Sequence, residues 1–136
     1  MKKVLKILGI VIGIIVLLLV AGGLFINARG IPSYEVKAPE VNIQPDSTMV
    51  ANGSRLVNMV CAECHRGENT RALTGKKLLD IPEFFGEAYS SNITRDPEHG
   101  IGKYTAGELT YLLRTGIKRN GQFAPIYMPR FNHMSE

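Results

Sequence analysis

The chain has 136 residues, 45% of them hydrophobic, and a formal net charge of +4. Lys2, Lys3, Lys6 and Arg29 account for that excess, because the remaining twelve Lys and Arg are balanced by twelve Asp and Glu. The basic charge therefore flanks one N-terminal segment and excludes a nucleic-acid-binding surface as its explanation. With two cysteines in the whole chain, a wider disulfide framework is also excluded.

Residues 1–29 predict a transmembrane anchor. Ile7 to Ile26 is an uncharged run of twenty residues, long enough to cross a hydrocarbon core of about 30 Å. The three lysines before it place the N-terminus in the cytoplasm by the positive-inside rule, with the rest of the chain outside. The alternative is a cleaved signal peptide, for which Val20-Ala21-Gly22 is a passable site. The length of the run favours an uncleaved, single-pass anchor in the lipid bilayer.

Residues 30–46 form a linker that contains Pro32, Pro39 and Pro45 and has no helical periodicity. Such a segment is typical of a semi-extended tether, which would hold the following domain roughly 30 to 50 Å from the bilayer. An ordered strap packed on the domain is the alternative.

The remaining domain, residues 47–136, is small enough to need more than its own apolar core for stability. Asp46 or Ser47 can cap a helix that runs through Val60. Gly53 inside this helix lowers its intrinsic stability, which suggests a close crossing by another helix.

The helix leads into Cys61-Ala62-Glu63-Cys64-His65. This Cys-x-x-Cys-His spacing predicts covalent attachment of one haem c, with a thioether from each cysteine and His65 as an axial iron ligand. A thioredoxin-type couple would require a βαβ context, and a zinc site would require four ligands, so both are weaker interpretations. A plain exported disulfide also remains open.

The chain after the haem motif (Cys61–His65) predicts loops over residues 66–104, with one short helix near residues 82–85. Thr105 and Glu108 form a capping box at the start of a second helix, which we expect to end at Gly116. We expect its apolar side to face inward. That side comprises Leu109, Leu112 and Leu113. Asn120-Gly121 indicates a turn, and no strand pattern stands out, so the predicted fold class is all-α.

Met128 is the candidate for the second axial ligand. It lies between Pro125 and Pro129, which would stiffen the loop, and a thioether ligand favours ferrous iron. Met134 and His133 are substitutes a few residues on. Met59 is expected in the core and His99 in a solvated loop.

Several segments together resemble class I cytochrome c domains, with the closest likeness to bacterial monohaem cytochromes and the cytochrome subunits of membrane-bound alcohol and aldehyde dehydrogenases. The segments are Asn-Ile-Thr-Arg-Asp-Pro-Glu-His-Gly-Ile-Gly-Lys-Tyr at 92–104, Leu-Arg-Thr-Gly-Ile at 113–117 and Tyr-Met-Pro at 127–129. The resemblance covers roughly residues 47–134. It implies His65 and Met128 as axial ligands and electron transfer as the activity.

Two features depart from the family pattern. Tyr104 stands where the family usually has Trp, and we expect it to contact a haem propionate. Such domains also close with a C-terminal helix that crosses the first helix at its small residue, here Gly53. Ser135 is typical of the N-cap of that helix, so we expect a truncated sequence or a fold completed by another chain.

The sequence thus predicts a one-electron carrier that is not an enzyme, anchored in the bacterial inner membrane with its haem domain in the periplasm. Its expected partners are membrane redox complexes or dehydrogenase subunits of a respiratory chain, with no small-molecule substrate. Three alternatives remain: a fixed haem subunit of a larger complex, an open-site haem that catalyses or senses gas, and a haem-free thiol protein.

Overall fold

The computed structural model describes residues 2–133, and every named element in that range is helical. The predicted all-α class is confirmed. Two isolated antiparallel β-bridges join loops, one between Lys77 and Tyr89 and the other between Ile117 and Phe123. The helices, in chain order, are α1 (Lys2–Arg29), α2 (Ser47–Leu56), a π-helical segment (Val57–Cys61), α3 (Ala62–His65), a 3₁₀ turn (Glu83–Phe85) and α4 (Ala106–Thr115).

Helix α1 has the length and composition of a membrane span. Its 28 residues rise about 42 Å. Its most apolar window has a mean hydropathy of 3.1, and none of its residues is buried against the rest of the chain. These properties fit both a membrane anchor and a signal sequence.

Helices α2 and α3 and the π-helical segment between them form one continuous helical stretch that ends at the haem motif. The Asp46 carboxylate caps it by accepting the Met49 N–H at 2.7 Å, as the sequence predicts. The π turn over Val57–Cys61 was not predicted, and such single-turn insertions occur frequently at functional sites. Arg66 then adopts extended backbone and ends the helix.

Helix α4 begins and ends where local signals predict. The Thr105 hydroxyl accepts the Glu108 N–H at 3.1 Å while the Glu108 carboxylate accepts the Thr105 N–H at 2.9 Å. Gly116 ends the helix in the left-handed conformation, with φ of 79°. Leu112 is buried, but the expectation that Leu113 faces inward is wrong. Leu113 is 38% exposed, because it lies about 100° around the helix from the buried Leu112.

Residues 33–39 form an ordered strap on the domain. The Tyr34 N–H donates to the Gly121 carbonyl at 2.8 Å, and its ring meets the Phe123 ring edge-on with centroids 5.0 Å apart. The Ser33 hydroxyl donates to the Asn120 carbonyl at 3.3 Å. Further along, the Tyr111 hydroxyl reaches the Glu35 carbonyl. Over these residues the linker is therefore an ordered strap and not a free tether.

The strap also explains a glycine in α4. A Cβ at Gly107 would collide with the Pro39 carbonyl oxygen, so only glycine lets the strap pass this closely. Gly53 in α2 differs, since beyond its chain neighbours and its own helix backbone no atom of the described chain lies within 4 Å of the position its Cβ would take. The helix crossing expected at Gly53 involved residues beyond 133, outside the described residues, and stays a prediction.

Gly107→Ala and Gly53→Ala should therefore change stability in opposite directions. Ala for Gly inside a helix normally stabilises a protein by about 0.5–1 kcal/mol, and Gly53→Ala should do so. Gly107→Ala should instead lower the free energy of unfolding by about 1–2 kcal/mol, because the strap must move away from α4. Urea titration of both purified variants measures the difference. Stabilisation by Gly107→Ala would contradict the packed strap.

Candidate cofactor site

The two cysteines of the haem motif lie one helical turn apart and therefore on the same side of the helix. Cys61 ends the π-helical segment, and Cys64 lies in α3. The two cysteines are not joined in a disulfide; Cys61 is half-buried and Cys64 exposed. Burial, followed by the neighbouring Cys64, raises the pKa of the Cys61 thiol. The pair is therefore placed so that both thiols can reach one planar group lying against this side of the helix.

His65 is oriented by a backbone carbonyl on a distant segment. Its Nδ1 lies 2.7 Å from the Ser91 carbonyl oxygen. A carbonyl can only accept, so Nδ1 carries the proton and the lone pair is on Nε2. Histidines that ligate metals are held in this way, with one ring nitrogen donating to a second-shell acceptor and the other facing the metal.

The loops that follow the haem motif hold its end in place. The Ser90 hydroxyl donates to the Cys64 carbonyl at 2.6 Å and accepts the Lys76 N–H at 2.8 Å. The Gly75 N–H donates to the His65 carbonyl at 2.8 Å. Residues 76–78 also pair with residues 88–90, as the Ser90 N–H donates to the Lys76 carbonyl at 2.9 Å. Adjacent backbone segments thus fix both the Cys64 end of the helix and the His65 ring.

Met128 lies in a different loop, anchored on the C-terminal half of α4. Its N–H closes a turn with the Pro125 carbonyl at 2.9 Å. On either side of that turn, Ala124 donates to the Gly116 carbonyl at 2.7 Å and Phe131 donates to the Leu113 carbonyl at 2.8 Å. Met128 is half-buried. The structure therefore brings Cys61, Cys64 and His65 together and holds Met128 on a separate, well-anchored loop.

Tyr104 lies beside a shallow cavity of about 460 Å³ that Lys103, Lys118 and Arg119 also line. The Tyr104 hydroxyl accepts the Arg119 backbone N–H at 3.4 Å. That bond leaves the hydroxyl proton available to a further acceptor. The expected contact with a haem propionate stays a prediction.

The other candidate ligands lie at the surface or outside the described chain. His99 is exposed beside Asp96, whose carboxylate accepts backbone N–H groups of His99 and Glu98, and these bonds lower the pKa of Asp96. Met59, expected in the core, is 78% exposed, because no other named helix packs on this stretch within residues 2–133. His133 is exposed, and Met134 lies outside the described residues.

The donor set fits a haem. Residues 2–133 contain no group of three or more His, Cys, Asp and Glu side chains that could hold a metal ion. A haem does not require such a group, since its macrocycle supplies the equatorial nitrogens and the protein adds only axial ligands. The small apolar core is also consistent with a haem. Within the described chain, the buried hydrophobic residues are Ala62 and Leu112. A large apolar cofactor would give this domain the centre that its own side chains do not form.

Sequence reasoning missed the residues that orient His65 and Cys64. Ser91 acts through its main-chain carbonyl, which every residue type has, so no sequence signal could identify it. Ser90 acts through its hydroxyl, but nothing in its local pattern connects it to a helix 26 residues earlier. Only the fold brings these groups to the haem motif.

Comparison with known proteins gives a consistent set of relatives. The cytochrome c subunit of quinone-dependent alcohol dehydrogenase from Gluconobacter oxydans is 35% identical over 96 residues, 67% of this chain and 19% of the relative. The fructose dehydrogenase cytochrome subunit of Gluconobacter japonicus is 40% identical over 62 residues, 45% of this chain and 12% of the relative. The gluconate 2-dehydrogenase cytochrome c subunit of Pantoea cypripedii is 30% identical over 87 residues, 63% of this chain and 19% of the relative.

The chain spans about a fifth or less of the length of these relatives. No family model matches it. No solved structure matches it either.

Ser90→Ala tests the clamp on the haem motif. Without the hydroxyl, the Cys64 carbonyl loses a donor and the Lys76 N–H loses an acceptor, so the free energy of unfolding should fall by about 1–2 kcal/mol. Denaturant titration of the purified chain measures this loss. Ser54→Ala is the matched control, because Ser54 is exposed on α2 and we expect its replacement to change stability by less than about 0.5 kcal/mol. Equal effects of both variants would contradict the clamp.

Proposed function

Because this chain is a c-type cytochrome related to the cytochrome c subunits of dehydrogenases, we propose that it carries one covalent haem c and transfers single electrons within a dehydrogenase complex. No substrate bond is made or broken by the chain itself. The relatives are named as cytochrome subunits, which supports an electron-transfer role over a catalytic one.

The observation that carries the proposal is the hydrogen bond from His65 Nδ1 to the Ser91 carbonyl. It supports His65 as the proximal ligand, since the imidazole needs its Nε2 lone pair free and its ring held in one orientation. Cys61 and Cys64 would form the two thioether bonds from the same side of the helix. A haem held there would supply the one-electron redox couple of its iron.

Met128 is proposed as the second axial ligand. The two hydrogen bonds from its loop to α4 limit the movement of the sulfur, which suits a ligand that must stay bound in both oxidation states. A thioether ligand stabilises ferrous iron and raises the reduction potential. Tyr104 is proposed to donate its hydroxyl proton to a haem propionate, which would fix the edge of the macrocycle.

Helix α1 is proposed as an uncleaved anchor in the bacterial inner membrane. Lys2, Lys3 and Lys6 precede its apolar run and support a cytoplasmic N-terminus. The haem domain would then lie in the periplasm, an oxidising compartment.

The relatives favour a fixed subunit over a freely moving carrier, which reverses the order expected from the sequence. Helix α2 supports the same choice. Apart from the π-helical segment that continues it, α2 packs on no other named helix within residues 2–133, and the Val50 side chain is 62% exposed. Met49 and Leu56 of the same helix are exposed as well, and apolar residues exposed together, unlike single ones, mark protein interfaces.

Met128→Ala should leave the haem attached but open one axial position. The ferrous protein should then bind carbon monoxide, and the reduction potential should fall because the thioether no longer favours ferrous iron. Absorption spectra and a redox titration of the purified protein measure both changes. Met59→Ala is the matched control, because Met59 is exposed and should not affect the spectrum. An unaltered spectrum in Met128→Ala would contradict the assignment and direct attention to His133 and Met134.

A fixed subunit should remain bound to a dehydrogenase during mild detergent solubilisation and affinity purification from its native membrane. Val50→Asp should weaken that association at least about tenfold, because it places a charge on the exposed face of α2. Asn52→Asp introduces the same charge about 200° around the helix and should leave the association intact. Recovery of the wild-type chain without any dehydrogenase would contradict the fixed-subunit proposal and favour the mobile carrier.

A further inference from the structure

The strap places one face of the haem domain close to the end of helix α1. Helix α1 ends at Arg29, and Tyr34 donates to the Gly121 carbonyl five residues later. Ser33 also bonds the Asn120 carbonyl. Since an extended chain spans at most about 3.3–3.6 Å per residue, the turn of residues 118–121 lies within roughly 20 Å of the end of α1.

That distance matters if α1 spans the membrane, as proposed above. The apolar run Ile7 to Ile26 fills a hydrocarbon core of about 30 Å, so Arg29 lies about 4.5 Å beyond it, at the level of the lipid headgroups. In that case the turn of residues 118–121 would be held within roughly 20 Å of the headgroups. A domain on a free tether would not be restricted in this way.

The segment between α1 and the strap is itself suited to the membrane interface. Ile31 is 74% exposed immediately after the helix, and the exposed ring of Tyr34 follows three residues later. Tyrosine is enriched at the boundary between headgroups and hydrocarbon, where an apolar ring and a polar hydroxyl are both accommodated. This segment can therefore lie in the membrane interface at Ile31 and contact the domain from Ser33 onward.

The face held towards the headgroups is basic. Lys118 and Arg119 belong to the turn, and the Arg119 guanidinium donates to the Lys103 carbonyl at 2.6 Å, which brings Lys103 to the same face. Glu108 forms an ion pair with Arg119 at 3.2 Å, and Glu98 lines the same shallow cavity. Among the described residues, Lys103 and Lys118 form no ion pair, so their charges remain available.

We propose that this basic face, defined by Lys103 and Lys118, docks on anionic phospholipid headgroups of the membrane that α1 spans. The inference rests on α1 being an uncleaved anchor. The tether makes the contact intramolecular, so weak individual contacts of about 1 kcal/mol per basic residue suffice. The docked domain would present a fixed side to the membrane and so hold the haem in one orientation relative to a partner subunit.

The test uses the full chain with attached haem in nanodiscs that contain a trace of headgroup-labelled fluorescent lipid. Haem quenches the label in a distance-dependent way, so quenching reports how closely the domain approaches the bilayer. Discs with about 30% phosphatidylglycerol should show about twofold more quenching than purely zwitterionic discs at low salt, and the excess should vanish at about 1 M salt.

Lys103→Glu/Lys118→Glu should reduce quenching in anionic discs to the zwitterionic level. Arg55→Glu/Arg71→Glu is the matched control, since it changes the net charge equally at exposed positions on α2 and in the loop after the haem motif, and it should retain the full excess. Equal loss in both variants would mean a net-charge effect and would overturn the proposal.

Insertion of about ten Gly/Ser residues between Gly30 and Ile31 separates the strap from the membrane without altering the domain. Quenching in zwitterionic discs should fall, while anionic discs should retain most of theirs because the lysines still attract the headgroups. A chain that washes out of the discs although it stains for haem would contradict the anchor and this inference with it. A retained chain whose quenching ignores lipid charge would overturn the inference alone. The inference would also be overturned if the lysine variant kept its quenching but no longer co-purified with a dehydrogenase, because the basic face would then bind protein.

Discussion

The hydrogen bond between His65 Nδ1 and the Ser91 carbonyl is the constraint on which the proposed site depends. It sets the tautomer of the imidazole and leaves the Nε2 lone pair free for the proposed haem iron. The bond also requires that the loop at residues 90–91 lie against the end of α3. The Ser90 hydroxyl holds the loop there by donating to the Cys64 carbonyl and accepting the Lys76 N–H. The attachment motif and its supporting loops therefore form one unit, while the Met128 loop depends on α4.

The parts of the fold that could be predicted are those with local causes. Asp46, the Thr105–Glu108 capping box and Gly116 mark helix ends because each interacts with backbone a few residues away. The exposure of Leu113 and Met59 could not be predicted, because periodicity shows which residues share a face but not whether another element covers that face. The π-helical turn and the Ser91 carbonyl have no sequence signal. The haem chemistry proposed for Cys61, Cys64 and His65 could be inferred from sequence because the haem motif is local, whereas the orientation of these side chains could not.

The strap connects helix α1 to the cytochrome domain more tightly than the proline content of the linker suggests. Close passage of Pro39 over Gly107, together with the bond between Tyr34 and Gly121, converts a linker into part of the domain surface. The consequence is functional in the proposed account. An electron carrier whose orientation is set by the bilayer can exchange electrons with a neighbouring subunit without a large interface of its own, since the tether already limits its search.

The absorption spectrum of the matured protein, oxidised and reduced, with and without carbon monoxide, tests the central claim most directly. The account predicts a covalently bound haem with a low-spin spectrum, a thioether charge-transfer band in the oxidised form and no change when carbon monoxide is added to the reduced form. A high-spin spectrum that shifts with carbon monoxide would contradict the His65 and Met128 ligand pair and indicate an open iron suited to catalysis or sensing. A protein without haem would contradict the cytochrome assignment itself.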